Sequence, residues 1–189
     1  MSILARKTTI SKWQKAVKFC QNNVEKLPAD VITSDLKTFN NTLSTWKINF
    51  NEKNEIIIDD VVLALLTGPK VEHIETIDLI FIDTDRYNQF EYKNTDGNTL
   101  VENLKKRHYD VCNLNLKTLG EFCIIYLDAM NGINENCNEN CNEKLMVKKI
   151  SKREVIEIIR KAFKENRVSL NNFSEKMQDK VKNIMNKVS

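Results

Sequence analysis

Glycine and proline are scarce in this sequence, four and two among 189 residues. That argues against a many-stranded sandwich with repeated tight turns, and it leaves no glycine-rich loop to cradle a nucleotide phosphate. Long apolar runs are missing too. The stretch EFCIIYLDAM is among the longest and falls far short of a bilayer span, so no membrane partner is expected. The opening MSILARKTTISK has neither the apolar core nor the small-residue cleavage site of a signal peptide. Five scattered cysteines make a poor disulfide framework. A cytoplasmic protein is the expectation. Walker loops, HExxH, paired CxxC and Ser-x-Gly elbows are also absent from the sequence, and no cofactor or metal is required by what remains.

What is there describes an ordinary globular chain, 41% apolar and 29% charged, long enough to bury a core without disulfides or metal. TISKWQKAVKFC sets Ile10, Trp13, Val17 and Cys20 at helical spacing with lysines opposite. After a loop-rich passage bounded by Pro28 and the Asn40–Asn41 pair, LSTWKINF alternates like a half-buried strand, and EIII is a second short strand. Asp59 or Asp60 is positioned to cap VVLALLTG, and TIDLIFID, apolar on both faces, reads as the middle strand of a sheet. Three capping boxes open helices later in the chain: Thr99 with Glu102, Thr118 with Glu121, and Ser151 with Glu154. The last opens an amphipathic helix through Phe163. A further helix carries Phe173, Met177 and Val181 on one stripe, and the two pair as a hairpin.

The expected organisation is therefore an α+β core over residues 1–130 with a small mixed sheet, a low-complexity linker over 131–147, and a basic helical hairpin over 148–189. In the linker, Cys137 and Cys141 stand four apart. Structural zinc takes four ligands, and no second pair or suitable histidine completes a set. Cys112 and Cys123 sit in apolar surroundings that quiet a thiol. His108, near Asp110, and His73, after a proline-bearing turn, read as helix-end or turn residues rather than bases.

Charge is unevenly spread. Residues 1–50 hold 8 basic and 3 acidic side chains, 51–143 hold 8 and 18, and 144–189 hold 13 and 5. Two outcomes are open. The basic ends can fold back on the acidic middle, or Lys152, Arg153, Arg160, Lys161, Lys164, Lys176 and Lys180 can face outward to meet an acidic protein or phosphates. The functional expectation follows the second: a non-enzymatic accessory subunit that docks a larger protein through the hairpin, with nucleic acid as another possible partner. Residue usage rich in lysine, asparagine and isoleucine suits an AT-rich bacterial genome, with a toxin–antitoxin or phage-defence operon as the expected setting.

The rival expectation is an enzyme. In FIDTDRYNQFEYK, Asp83, Asp85 and Glu91 offer hard oxygen ligands for magnesium, and Lys93 a stabilising charge. The group resembles the metal-dependent nuclease pattern of an aspartate followed by Glu-x-Lys on the next strand, although the interval from Asp85 to Glu91 is too short for a turn and a full strand. It also resembles the Asp-x-Asp of haloacid-dehalogenase-like phosphatases, but that motif should open the chain and run into a glycine-containing loop. Aspartate at a strand end otherwise supplies turn chemistry.

Overall fold

A computed structural model describes residues 2–21, 23–53, 55–134 and 146–186. It is an α+β protein whose largest element is a six-stranded antiparallel sheet packed with helices. The chain divides into two compact units, each gathered from three separate segments. The first takes residues 1–45, 78–93 and 110–149, the second 46–77, 94–109 and 150–189. Most of the segment read as a linker, with Cys137 and Cys141, lies outside the described residues. No helix among the described residues is long and apolar enough to cross a membrane.

The first unit holds most residues of every strand of the large sheet. These strands are β1 (Ile3–Thr8), β2 (Leu43–Lys47), β5 (Ile77–Asp83), β6 (Glu91–Asn94), β7 (His108–Cys112) and β8 (Val147–Ile150), in the spatial order β6-β7-β2-β1-β5-β8. β5 does form where TIDLIFID stands, but the sheet's middle belongs to β1 and β2. Strand β1 went unread in the sequence because Arg6 and Lys7 break its short apolar run. In the fold Ile3, Leu4 and Ala5 are all buried, and the strand pairs antiparallel with β5, Ile3 opposite Asp83 and Thr8 opposite Asp78.

Helices α1 (Ile10–Cys20), α2 (Ala29–Asp35) and α5 (Leu116–Asn134) belong to this unit. Trp13 of α1 meets Tyr126 of α5 at 4.4 Å between ring centroids, and Phe122 of α5 meets Phe90 edge-on at 5.2 Å. Thr9 does not cap α1 with its own side chain. Asp35, at the far end of α2, does the work instead: it accepts from the Thr9 backbone N–H at 2.6 Å and from the Trp13 indole N–H at 2.9 Å. Helix α5 starts two residues before Thr118. Its start is capped by Asn115, whose Oδ1 accepts from the backbone N–H groups of Lys117 and Thr118 at 2.9 and 3.0 Å.

The second unit contains the short antiparallel pair β3 (Asn49–Phe50) and β4 (Ile56–Ile57), helix α3 (Asp59–Leu66), the single turn α4 (Glu102–Lys105), and the C-terminal helices α6 (Lys152–Lys164) and α7 (Glu175–Asn186). Of the three expected capping boxes only the last forms. Ser151 Oγ accepts from the Glu154 N–H at 3.2 Å, and Glu154 returns a carboxylate to the Ser151 N–H at 2.7 Å. Thr99 is buried, sharing a 2.6 Å hydroxyl contact with Thr67, so the expected helix after it shrinks to one turn. The α6–α7 pair is fastened by apolar contact: Val155, Ile159, Ala162, Phe173, Met177 and Val181 are all buried, and the rings of Phe163 and Phe173 stack at 6.0 Å.

Candidate functional site

The seven hairpin cations meet three different fates. Lys161 binds Asp59 at 2.8 Å and Lys176 binds Glu72 at 2.6 Å, while Lys180 donates to the Glu72 carbonyl and, at 2.8 Å, to His73 Nδ1. An ammonium can only donate, so His73 must present Nδ1 as an acceptor. Arg160 pairs within its own helix with Glu157 at 2.8 Å and reaches the Ile184 carbonyl near the end of α7 at 3.3 Å. Lys152, Arg153 and Lys164 stay exposed and form no ion pair among the described residues. The first of the two open outcomes is thus realised in part: basic residues of the C-terminal segment fold back on carboxylates of residues 51–143.

The acidic side of this arrangement begins at the start of α3. Asp59 and Asp60 lie in its first turn without capping it; they face three cations instead. Asp60 accepts from Arg107 at 2.7 Å, from Arg167, and from the Asn49 amide at 3.0 Å. One half-buried carboxylate thereby ties together β3, α3, the approach to β7 and the α6–α7 turn. Asp60→Asn keeps the shape but removes the charge that two guanidiniums share. It is expected to lower the unfolding free energy by about 2 kcal/mol in urea titrations. The Asp59 hydrogen bond raises the pKa of Lys161. That contribution is therefore intact at and below the ordinary lysine range and fades only in strongly alkaline solution. Lys176 holds the Glu72 carboxyl below its usual range, a contribution lost as acid protonates it.

The rival metal group does not assemble. Among the described residues, no cluster of three or more His, Cys, Asp or Glu side chains could hold a metal ion. Asp83 is buried at the end of β5, where its Oδ1 accepts from the backbone N–H groups of Asp85 and Arg86 at 3.0 and 3.3 Å, the turn chemistry that aspartate favours at a strand end. Asp85 is exposed, Glu91 is engaged by the Asn113 amide, and Lys93 is exposed on the edge strand β6. Beside this turn the Tyr87 hydroxyl donates to Asp128 at 3.0 Å, and burial with that carboxylate pushes the Tyr87 pKa up to about 12.

The thiols are quiet. Burial raises Cys112, and burial pushes Cys123 up to about 12. In the folded protein Cys123 is expected to resist iodoacetamide near pH 8 and to react once the chain is unfolded, as followed by peptide mass spectrometry. The unfolded chain ionises such a thiol near its ordinary value. Stability is therefore expected to fall as pH climbs from about 9 toward 12. His108 is buried in the second unit, with Nδ1 2.7 Å from the Thr95 hydroxyl and its ring edge-on to Trp46. In the same unit an open hollow of about 590 Å³ sets Lys70 and Lys176 against Glu72 and Glu175, so its charges cancel.

Two large apolar side chains of the first unit stand in water. Phe39 is 78% exposed and Leu116, the first residue of α5, 91% exposed, and the turn after Phe39 is joined to the loop before α5 by a 2.9 Å hydrogen bond from the Leu114 N–H to the Asn41 carbonyl. Phe39 and Thr42 exchange backbone hydrogen bonds at 3.1 and 3.0 Å across Asn40 and Asn41, whose φ of 51° and 59° mark a tight type I′ turn. Asparagine tolerates that left-handed backbone better than other side chains do. The Asn-Asn pair in the sequence was therefore a turn signal, but nothing around it said the phenylalanine would stay in water. Comparison with protein-family models, with characterised proteins and with solved structures returned no match.

Proposed function

We propose that the protein is a non-enzymatic binding subunit that docks a larger intracellular protein, with Phe39 and Leu116 as its apolar anchors. The observation that carries this reading is the exposure of these two large side chains on either side of the backbone hydrogen bond that joins the Asn40–Asn41 turn to the start of α5. A lone exposed apolar residue is ordinary on any surface, whereas two large ones close to a shared backbone hydrogen bond suit a partner's pocket. A second reading keeps the docking on the C-terminal helices and is favoured by the exposure of Lys152, Arg153 and Lys164. Four of the seven cations there already have partners in their own chain, which leaves this surface the smaller share of free charge.

The two separate cleanly by experiment. Tagged protein is recovered from its source cells as wild type, as Phe39→Ser with Leu116→Ser, and as Lys152→Glu with Arg153→Glu and Lys164→Glu. Loss of a stoichiometric co-purifying protein from the first variant alone supports the anchors, and loss from the second alone supports the helical surface. If both variants retain everything the wild type retains, the binding reading is wrong.

A further inference from the structure

Helix α1 is built with all its apolar weight on one side. Trp13, Ala16, Val17 and Cys20 are buried, and Asp35 and Asp78 hold its first turn, the latter accepting from the Ile10 N–H at 3.1 Å. The opposite face is therefore presented on a fixed support. At 100° per residue it carries Lys12, Lys15 and Lys18 in a single stripe, all exposed, with Phe19 among them at 71% exposure. No acidic residue occurs in the helix, and none of the three lysines forms an ion pair among the described residues. This differs from the outer face of α6, where Glu154, Glu157 and Glu165 are exposed together with Arg153 and Lys164.

We infer that this face of α1 is a binding site for single-stranded nucleic acid. Three ammonium groups of one sign can neutralise consecutive phosphates, and an exposed phenyl ring among them gives an unstacked base a flat apolar surface. A duplex keeps its bases stacked inside and cannot use the ring. An acidic protein surface would also gain from the lysines, and competition by a glutamate-rich peptide separates the two. The site lies away from the anchors Phe39 and Leu116 in sequence and does not depend on them.

The test is fluorescence anisotropy of the full-length protein with a labelled oligothymidylate of about 12 nucleotides, starting near 50 mM salt. Three phosphate contacts give a plot of log affinity against log salt with a slope of about −2. Lys12→Gln with Lys15→Gln and Lys18→Gln is expected to abolish binding. Phe19→Ala is expected to weaken it about tenfold without changing the slope, and Phe19→Trp to restore it. All four residues are exposed, so the variants fold. The inference is overturned if the wild type does not bind, if the lysine variant binds as well as wild type, if duplex DNA binds as tightly and Phe19→Ala has no effect, or if a glutamate-rich peptide outcompetes the oligonucleotide.

Discussion

Asp35→Ala is expected to lower the unfolding free energy by about 4 kcal/mol, read from urea or guanidinium titrations. The Asp35 carboxylate is buried and accepts from five donors: the hydroxyls of Thr8 and Thr9 at 2.8 and 3.0 Å, the Thr9 N–H at 2.6 Å, the Trp13 indole at 2.9 Å and, at the longest distance, the Ser34 hydroxyl at 3.4 Å. Trp13 and Thr8 are themselves buried. Removing the acceptor strands their donors where water reaches them poorly, and each stranded group costs about 1–3 kcal/mol. It also uncaps α1, since Thr9 supplies no side-chain cap. Asp35→Asn keeps one acceptor oxygen and should cost about half as much. A loss below about 1 kcal/mol for the alanine variant would contradict this account.

The second large effect comes from Gly97. A Cβ at this position would stand 2.5 and 2.8 Å from two ring carbons of Trp46 and 2.9 Å from the His108 Cβ. Neither neighbour is free to yield. The Trp46 ring is buried edge-on against His108 at 5.0 Å, and His108 is held through Thr95. Gly97→Ala is therefore expected to destabilise the protein by about 3 kcal/mol, with Trp46 emission reporting the displaced ring. Gly120 is the matched control. A Cβ there meets nothing within 4 Å, and the residue lies inside α5. Gly120→Ala should stabilise by about 0.5–1 kcal/mol, because alanine is the better helix former.

Much of the architecture could be read from periodicity. The stripe of α1, the strand β5 and the box at Ser151 each declare themselves within a dozen residues, since their partners are sequence neighbours. What could not be read depends on distant groups. Thr99 abandoned its box because Thr67, 32 residues away, offered a buried hydroxyl. Asp59 and Asp60 were expected to cap a helix but are drawn to arginines and a lysine 47 to 107 positions later. The charge segregation was visible in composition, yet whether the C-terminal cations would turn inward or outward was a three-dimensional question. The candidate surfaces were harder still. The amphipathic pattern of α1 placed its lysines opposite the apolar stripe, but their freedom from carboxylates emerges only from the fold, as does the exposure of Phe39.

The interleaving of the two units has a kinetic corollary. Each is assembled from three stretches of chain, and the second cannot close before residues 150–189 have left the ribosome. Until then the α3 surface that α6 covers stays bare, and Asp60 has Arg107 but still lacks Arg167. Nascent chains of this protein should accordingly depend on holdase chaperones more than a domain folded from one continuous stretch would. No single cut through the sequence would yield either half as a self-sufficient fragment.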